Sequence, residues 1–145
     1  MTARRVAAWL AGLWAGWLWA LALTAAPAAF AVATPEVAGR MAGRMFAQEA
    51  YAAILVSVVL FMLLRRQARA AAAAGTGSVF SADMVLVLGA LFCTVAGYFA
   101  LQPMMAAARA GQGSVSFAAL HGASMALYGL KALQVAALAW RLAAR

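Results

Sequence analysis

The sequence predicts an all-α integral membrane protein, a four-helix bundle with both termini cytoplasmic, built as a single membrane domain over residues 1–145. Three observations carry this. Apolar stretches over residues 6–33, 39–64, 84–108 and 114–140 each have the length of a bilayer crossing, which takes roughly 20 mostly apolar residues. Hydrophobic residues make up 68% of the chain and the mean hydropathy is +0.93, whereas ordinary soluble domains are about half apolar. The basic residues alternate in side: Arg4, Arg5, Arg65, Arg66, Arg69, Arg141 and Arg145 fall on one face of the membrane, and only Arg40, Arg44 and Arg109 on the other. By the positive-inside rule both termini and the linker over residues 65–83 are expected in the cytoplasm.

The same distribution excludes a nucleic-acid partner. A net charge of +8 would fit one only if the basic residues formed a single stripe. Dispersed at helix ends, they point to lipid headgroups. The one cysteine, Cys93, excludes a disulfide within the chain.

In the first stretch, Arg4 and Arg5 precede the apolar run and small residues surround Ala31 and Ala33, as in a signal peptide. The run far exceeds the roughly 7 to 15 residues of an h-region, so a retained span is expected. Ala8, Gly12, Gly16, Ala20 and Thr24 recur every four residues and offer a flat strip for close helix contact, including contact with a second copy. Trp9 and Trp140 belong at the membrane boundary, while Trp14, Trp17 and Trp19 lie deeper as bulk on lipid or in the bundle.

The second helix opens with Thr34 as N-cap, Pro35 at the first position and an acidic Glu36, so the loop before it is very short. Ala70 to Ala74 should prolong this helix until Gly75, Thr76 and Gly77 break it. Ser81 and Asp83 can start the third helix, on which Gly89, Cys93 and Gly97 form another small-residue strip. Ser114, after Gly111 and Gly113, can start the fourth, where Gly122 is a packing candidate. Pro27 and Pro103 fall near the outer ends of the first and third helices, where a missing backbone donor marks the end or is compensated by neighbours.

The fourth helix carries the most specific constellation. His121, Ser124, Tyr128 and Lys131 follow i, i+3, i+7, i+10 and share one face. A lysine some ten residues, roughly 15 Å, from Arg141 is costly in hydrocarbon unless paired, hydrated or snorkelled. Glu49, sixteen residues or roughly 24 Å before Arg65, is the natural partner, at a depth between those of Ser124 and Tyr128. These five residues form the candidate polar seam. Glu36, Arg40 and Arg44 stack at four-residue intervals away from Glu49's face. Arg40 and Arg44, with Pro103, mark an outer interface suited to lipid phosphates.

Met41, Met45, Met104 and Met105 could gather as thioether ligands for Cu(I), with His121 as a further donor, but without a tight repeat they also serve as bundle filling. No metal or cofactor is assigned. A haem would ask His121 to find a methionine or a second subunit as its axial mate. No nucleotide loop, zinc signature or hydrolase elbow occurs, so no catalytic residue is proposed and an enzyme is not expected.

The run Leu13-Trp14-Ala15-Gly16, through Pro27 to Ala38-Gly39-Arg40-Met41-Ala42-Gly43-Arg44-Met45-Phe46 with Glu49 following, resembles the transmembrane protein 205-like family, domain of unknown function 4149. Gln102-Pro103 and the stretch from Phe117 to Tyr128, with His121-Gly122 and Ser124, are similar to that family's second hairpin. The resemblance covers nearly the whole chain. It implies a four-helix integral membrane protein, with eukaryotic members associated with platinum-drug resistance and secretory-pathway membranes. It singles out Pro103, His121, Gly122 and Ser124. The middle loop is shorter here than in those relatives, and the Ala- and Arg-rich composition suits a bacterial inner membrane.

The expected function is transport of, or resistance to, a small solute, ion or metal complex through the polar seam, in a homo-oligomer. Alternatives are an assembly subunit that stabilises a larger membrane complex, and a haem- or copper-binding redox protein.

Overall fold

The computed structural model describes residues 2–144, and every regular element among them is helical. Four helices, α1 (Ala3–Val32), α2 (Pro35–Ala73), α3 (Ala82–Arg109) and α4 (Phe117–Ala143), are long and apolar enough to cross a membrane. The molecule is a multi-pass membrane protein folded as an all-α four-helix bundle. Each helix packs on its neighbours in sequence and α4 returns to α1, so α2 and α4 face each other across a diagonal. Both chain ends meet at one end of the bundle, where the Arg4 guanidinium donates to the Leu142 carbonyl at 3.0 Å. This is the termini end; the short turns at residues 33–34 and 110–116 mark the hairpin end.

Local chemistry sets the boundaries. Thr34 stands extended before Pro35 at the start of α2, and Ser81 caps α3 by accepting from the Met84 N–H. The α4 cap is Ser116, which accepts from the Ala119 N–H at 3.2 Å, and not Ser114. Gly111 and Gly113 adopt φ of 72° and 95°, so the chain is still turning at residue 114. The first part of the linker, residues 65–73, continues α2 to Ala73, as the alanine tract predicts, because alanine is the strongest helix former and nothing there interrupts it. Gly75 stops the helix with φ of 70°. Its N–H bonds to the Ala72 carbonyl while the Thr76 N–H bonds to that of Ala71, so these two end carbonyls are satisfied.

Neither proline ends its helix. Leu21–Ala25 of α1 and Val95–Ala100 of α3 are wound as π-helix, just before Pro27 and Pro103. A proline offers no N–H and collides with the carbonyl four residues back. Widening the preceding turn relieves that collision and lets the helix continue, to Val32 in one case and Arg109 in the other.

The packed core occupies the termini half of the bundle. It joins Ala7, Ala11 and Leu18 of α1 to Leu60 and Leu64 of α2, Val87 of α3 and Val135 and Leu138 of α4. Toward the hairpin end, residues 26–32 pack chiefly on α2 and residues 101–109 chiefly on α4. The two hairpins therefore part in that half.

Of the glycines expected to pack helices, two do so. A Cβ on Gly97 would lie 3.1 Å from the Leu127 Cβ, and one on Gly89 would lie 2.5 Å from the Gln134 Nε2, so α3 sits close on α4 at both. Gly12, Gly16 and Gly122 are exposed, and a Cβ there would meet nothing within 4 Å. The strip on α1 faces out of the chain because α1 turns the adjacent row, Ala7, Ala11, Trp14 and Leu18, inward. Trp14 decides that choice, since a buried indole N–H needs an acceptor.

Candidate functional site

The centre of the bundle holds an ion pair across the diagonal. Lys131 Nζ on α4 donates to Glu49 Oε2 on α2 at 2.6 Å. The other carboxylate oxygen, Oε1, accepts from the Trp14 indole N–H of α1 at 3.1 Å. Glu49, Lys131 and Trp14 are 1%, 3% and 3% exposed, so three helices share one dry carboxylate. The pair lies at the outer edge of the packed core: Glu49 is one turn beyond Ala53, and Lys131 adjoins Ala132.

Helix geometry brings these groups level. Side chains on an α-helix lean toward its N-terminus, and the N-terminus of α4 lies at the hairpin end. Lys131 therefore climbs along the helix, passing its ammonium 4.9 Å from the centroid of the Tyr128 ring, and reaches Glu49. An inward-snorkelling lysine would have pointed the other way. Each ion costs several kcal/mol to take out of water, and the mutual attraction with further hydrogen bonds offsets this.

Tyr128 and Ser124 complete the seam without touching the carboxylate. The Tyr128 hydroxyl donates to the Leu18 carbonyl at 2.9 Å, in the last α-helical turn before the π-segment of α1. The Ser124 hydroxyl donates to the Gly97 carbonyl at 3.0 Å, inside the π-segment of α3. Tyr128 thus bonds α1 one turn before its π-segment, and Ser124 bonds α3 within its π-segment. On the hairpin side of the pair, Phe46 of α2 meets Tyr128 of α4 edge-on at 5.1 Å, an aromatic contact between the hairpins.

His121 is not part of this seam. It is exposed, and its ring stacks on Phe117 at 5.6 Å, with the Arg109 guanidinium 4.4 Å from that same Phe117 ring. His121 lies at the edge of the polar face, roughly 80° around the helix from Lys131, and at its level the hairpins have already diverged. Arg40, Arg44 and Pro103 are exposed at the hairpin end. Glu36 and Arg40 make no ion pair within 4.0 Å: among the described residues the ion pairs are Lys131–Glu49 and Arg141–Asp83. Met41 and Met45 belong to the first hairpin, whereas Met104 and Met105 lie on a segment packed chiefly on α4, so the four thioethers are divided between the hairpins. No group of three or more His, Cys, Asp or Glu side chains able to hold a metal occurs among the described residues.

Two participants escape a reading of the sequence. Trp14 was one tryptophan among several; the signal was its place in the Ala7, Ala11, Trp14, Leu18 row. Asp83 was read as a helix-start residue, yet it also accepts from the Arg141 guanidinium at 2.6 Å, tying α3 to α4 at the termini end.

A family model described as a domain of unknown function (DUF4149) matches residues 9–114. The chain belongs to this family. The DUF4149 match spans Trp14, Glu49, Asp83 and both π-segments, and stops short of Ser124, Tyr128 and Lys131 on α4. No curated protein and no solved structure matches the chain.

Proposed function

We propose that this DUF4149 protein carries a small solute or ion across the membrane, and that the structure is the closed state of its path. The carrying observation is the Glu49–Lys131 pair, buried at the edge of the core where the hairpins part. Two charges in hydrocarbon are costly, and well-packed apolar residues of similar volume would often hold a fold equally well. Intramembrane ionisable groups of this kind mark substrate or proton paths. The π-segments beside it are places where a helix can change its bonding register. The termini half is the tight side of the path and the split half the open side. The charge asymmetry of the arginines favours cytoplasmic termini, hence an opening away from the cytoplasm in a bacterial inner membrane. The likeness to transmembrane protein 205-like proteins is compatible with handling of metal complexes as well as simple solutes.

The test is flux in proteoliposomes. Wild-type protein is expected to move at least one solute from a panel of organic anions, organic cations and metal complexes, and Glu49→Gln to change that flux. Silence across the panel in wild-type protein would overturn the reading.

A second reading has its own observation. The strip of Gly12, Gly16 and Ala20 is exposed on α1, as in helix interfaces built from small residues. It favours an assembly role, with a second copy or another membrane protein on α1. Capture of a stoichiometric partner in mild detergent, lost on Gly12→Leu, supports it.

A further inference from the structure

We infer that the cargo is a small carboxylate, taken up together with one proton, at the place now held by the Glu49 side chain. This rests on the transport reading above and names its substrate class. The Glu49 carboxylate is itself a bound ligand: one oxygen takes the Trp14 N–H at 3.1 Å and the other the Lys131 ammonium at 2.6 Å. Two donors from two helices, one on each oxygen, form a clamp for a planar two-oxygen anion. Burial strengthens it. The clamp would hold any other carboxylate equally well once Glu49 let go.

Glu49 lets go when it takes a proton. A neutral carboxylic acid no longer binds an ammonium strongly, so the side chain can turn away and leave Lys131 and Trp14 to the incoming anion. The balance is closed: one proton goes to Glu49, one anion to Lys131, and the net charge of the site does not change. The titratable groups around the carboxylate are Lys131 and Tyr128 on α4, with Cys93 of α3 close to Lys131. On α1, Trp14 contributes a donor and no charge.

The approach has the matching sign. The hairpin end carries Arg40, Arg44 and Arg109 against Glu36, an excess of positive charge that raises the local concentration of anions. A cation would have to pass these arginines and then displace a lysine tethered to the same site.

Lactate and tetramethylammonium serve as anionic and cationic probes, each measured by equilibrium dialysis on detergent-purified protein and by flux in proteoliposomes. Glu49→Gln should release the clamp and bind lactate about 10-fold or more tightly than wild type. Trp14→Phe and Lys131→Gln, each introduced into Glu49→Gln, should reverse that gain. In wild-type vesicles, external lactate should acidify the lumen, which a trapped pH dye reports. If Glu49→Gln does not fold, wild-type binding is compared at pH 5 and pH 7, with tighter lactate binding expected at pH 5. Unchanged lactate affinity in a folded Glu49→Gln protein, or a gain that survives loss of both donors, overturns the inference. Movement of tetramethylammonium without lactate overturns it while leaving transport standing. Lactate binding without any flux supports the site and removes the transport reading.

Discussion

Removing Lys131 alone should damage the bundle more than removing both members of its pair. In Lys131→Met the apolar stem is kept and the ammonium lost, which leaves a 1% exposed carboxylate with the Trp14 N–H as its remaining donor. Breaking a buried pair from one side costs about 3–5 kcal/mol, because the surviving charge stays desolvated. In Glu49→Gln/Lys131→Met both charges go, and no buried ion is left without its partner. Paired replacement by neutral groups ranges from neutral to about 1–4 kcal/mol stabilising. The double-mutant cycle should therefore show a coupling of at least ~3 kcal/mol, several times the ~0.6 kcal/mol average of hydrogen bonds between membrane helices. Unfolding in a series of sodium dodecyl sulfate mixtures, followed by circular dichroism, measures all four corners. A single mutant costing less than ~1 kcal/mol, or a double mutant less stable than both singles, would refute a dry pair at the centre of the bundle.

Further outcomes follow from particular contacts. Gly97→Ala drives a Cβ to 3.1 Å from the Leu127 Cβ, which is anchored to its backbone, and should cost ~1–3 kcal/mol in the same unfolding assay. Gly89→Ala should cost less, since the Gln134 amide it meets can swing aside. The Ser57 hydroxyl is buried without a hydrogen-bond partner, so Ser57→Ala should leave the melting temperature unchanged or raise it, and a fall would show a hidden acceptor. Gly16→Leu faces open space; it should leave unfolding of the chain within ~0.5 kcal/mol, and any loss of oligomer by light scattering would assign the α1 strip to a subunit contact. Asp83→Asn breaks a pair whose Arg141 side chain is about one-third exposed, and should cost no more than ~1 kcal/mol.

The fold was legible because lipid imposes a simple demand: runs of apolar residues must satisfy their backbones as helices. Thr34, Pro35, Ser81 and Gly75 marked boundaries through caps and turns whose chemistry is local. The depth argument for Glu49 and Lys131 also used only residue spacing; it set Glu49 between Ser124 and Tyr128, and the lean of the Lys131 side chain toward the N-terminus of α4 spans the remaining distance. What stayed hidden depends on the rotation of one helix against another. The α1 strip and the row beside it are separated by a single 100° step, and only the need of Trp14 for an acceptor selects between them. His121 was misplaced for a related reason: a shared helical face says nothing about whether a neighbour is still present at that height. The π-segments were missed because proline signals a disturbance but not how the preceding turn will absorb it.

These hidden features act together on α4. Its polar face binds a different helix at each level: Ser124 holds α3, Tyr128 holds α1 and Lys131 holds α2. Turning or tilting α4 to open the centre would break these three bonds together, a cost of several kcal/mol once the ion pair is included. A ligand shifts such an equilibrium only by the difference in its affinity for the two states. It must therefore return contacts at the broken positions themselves. Of the three, Lys131 offers the largest return to an anion, since its charge would otherwise be left bare. If the protein transports as proposed, the ion pair that holds the bundle also selects the kind of molecule that opens it.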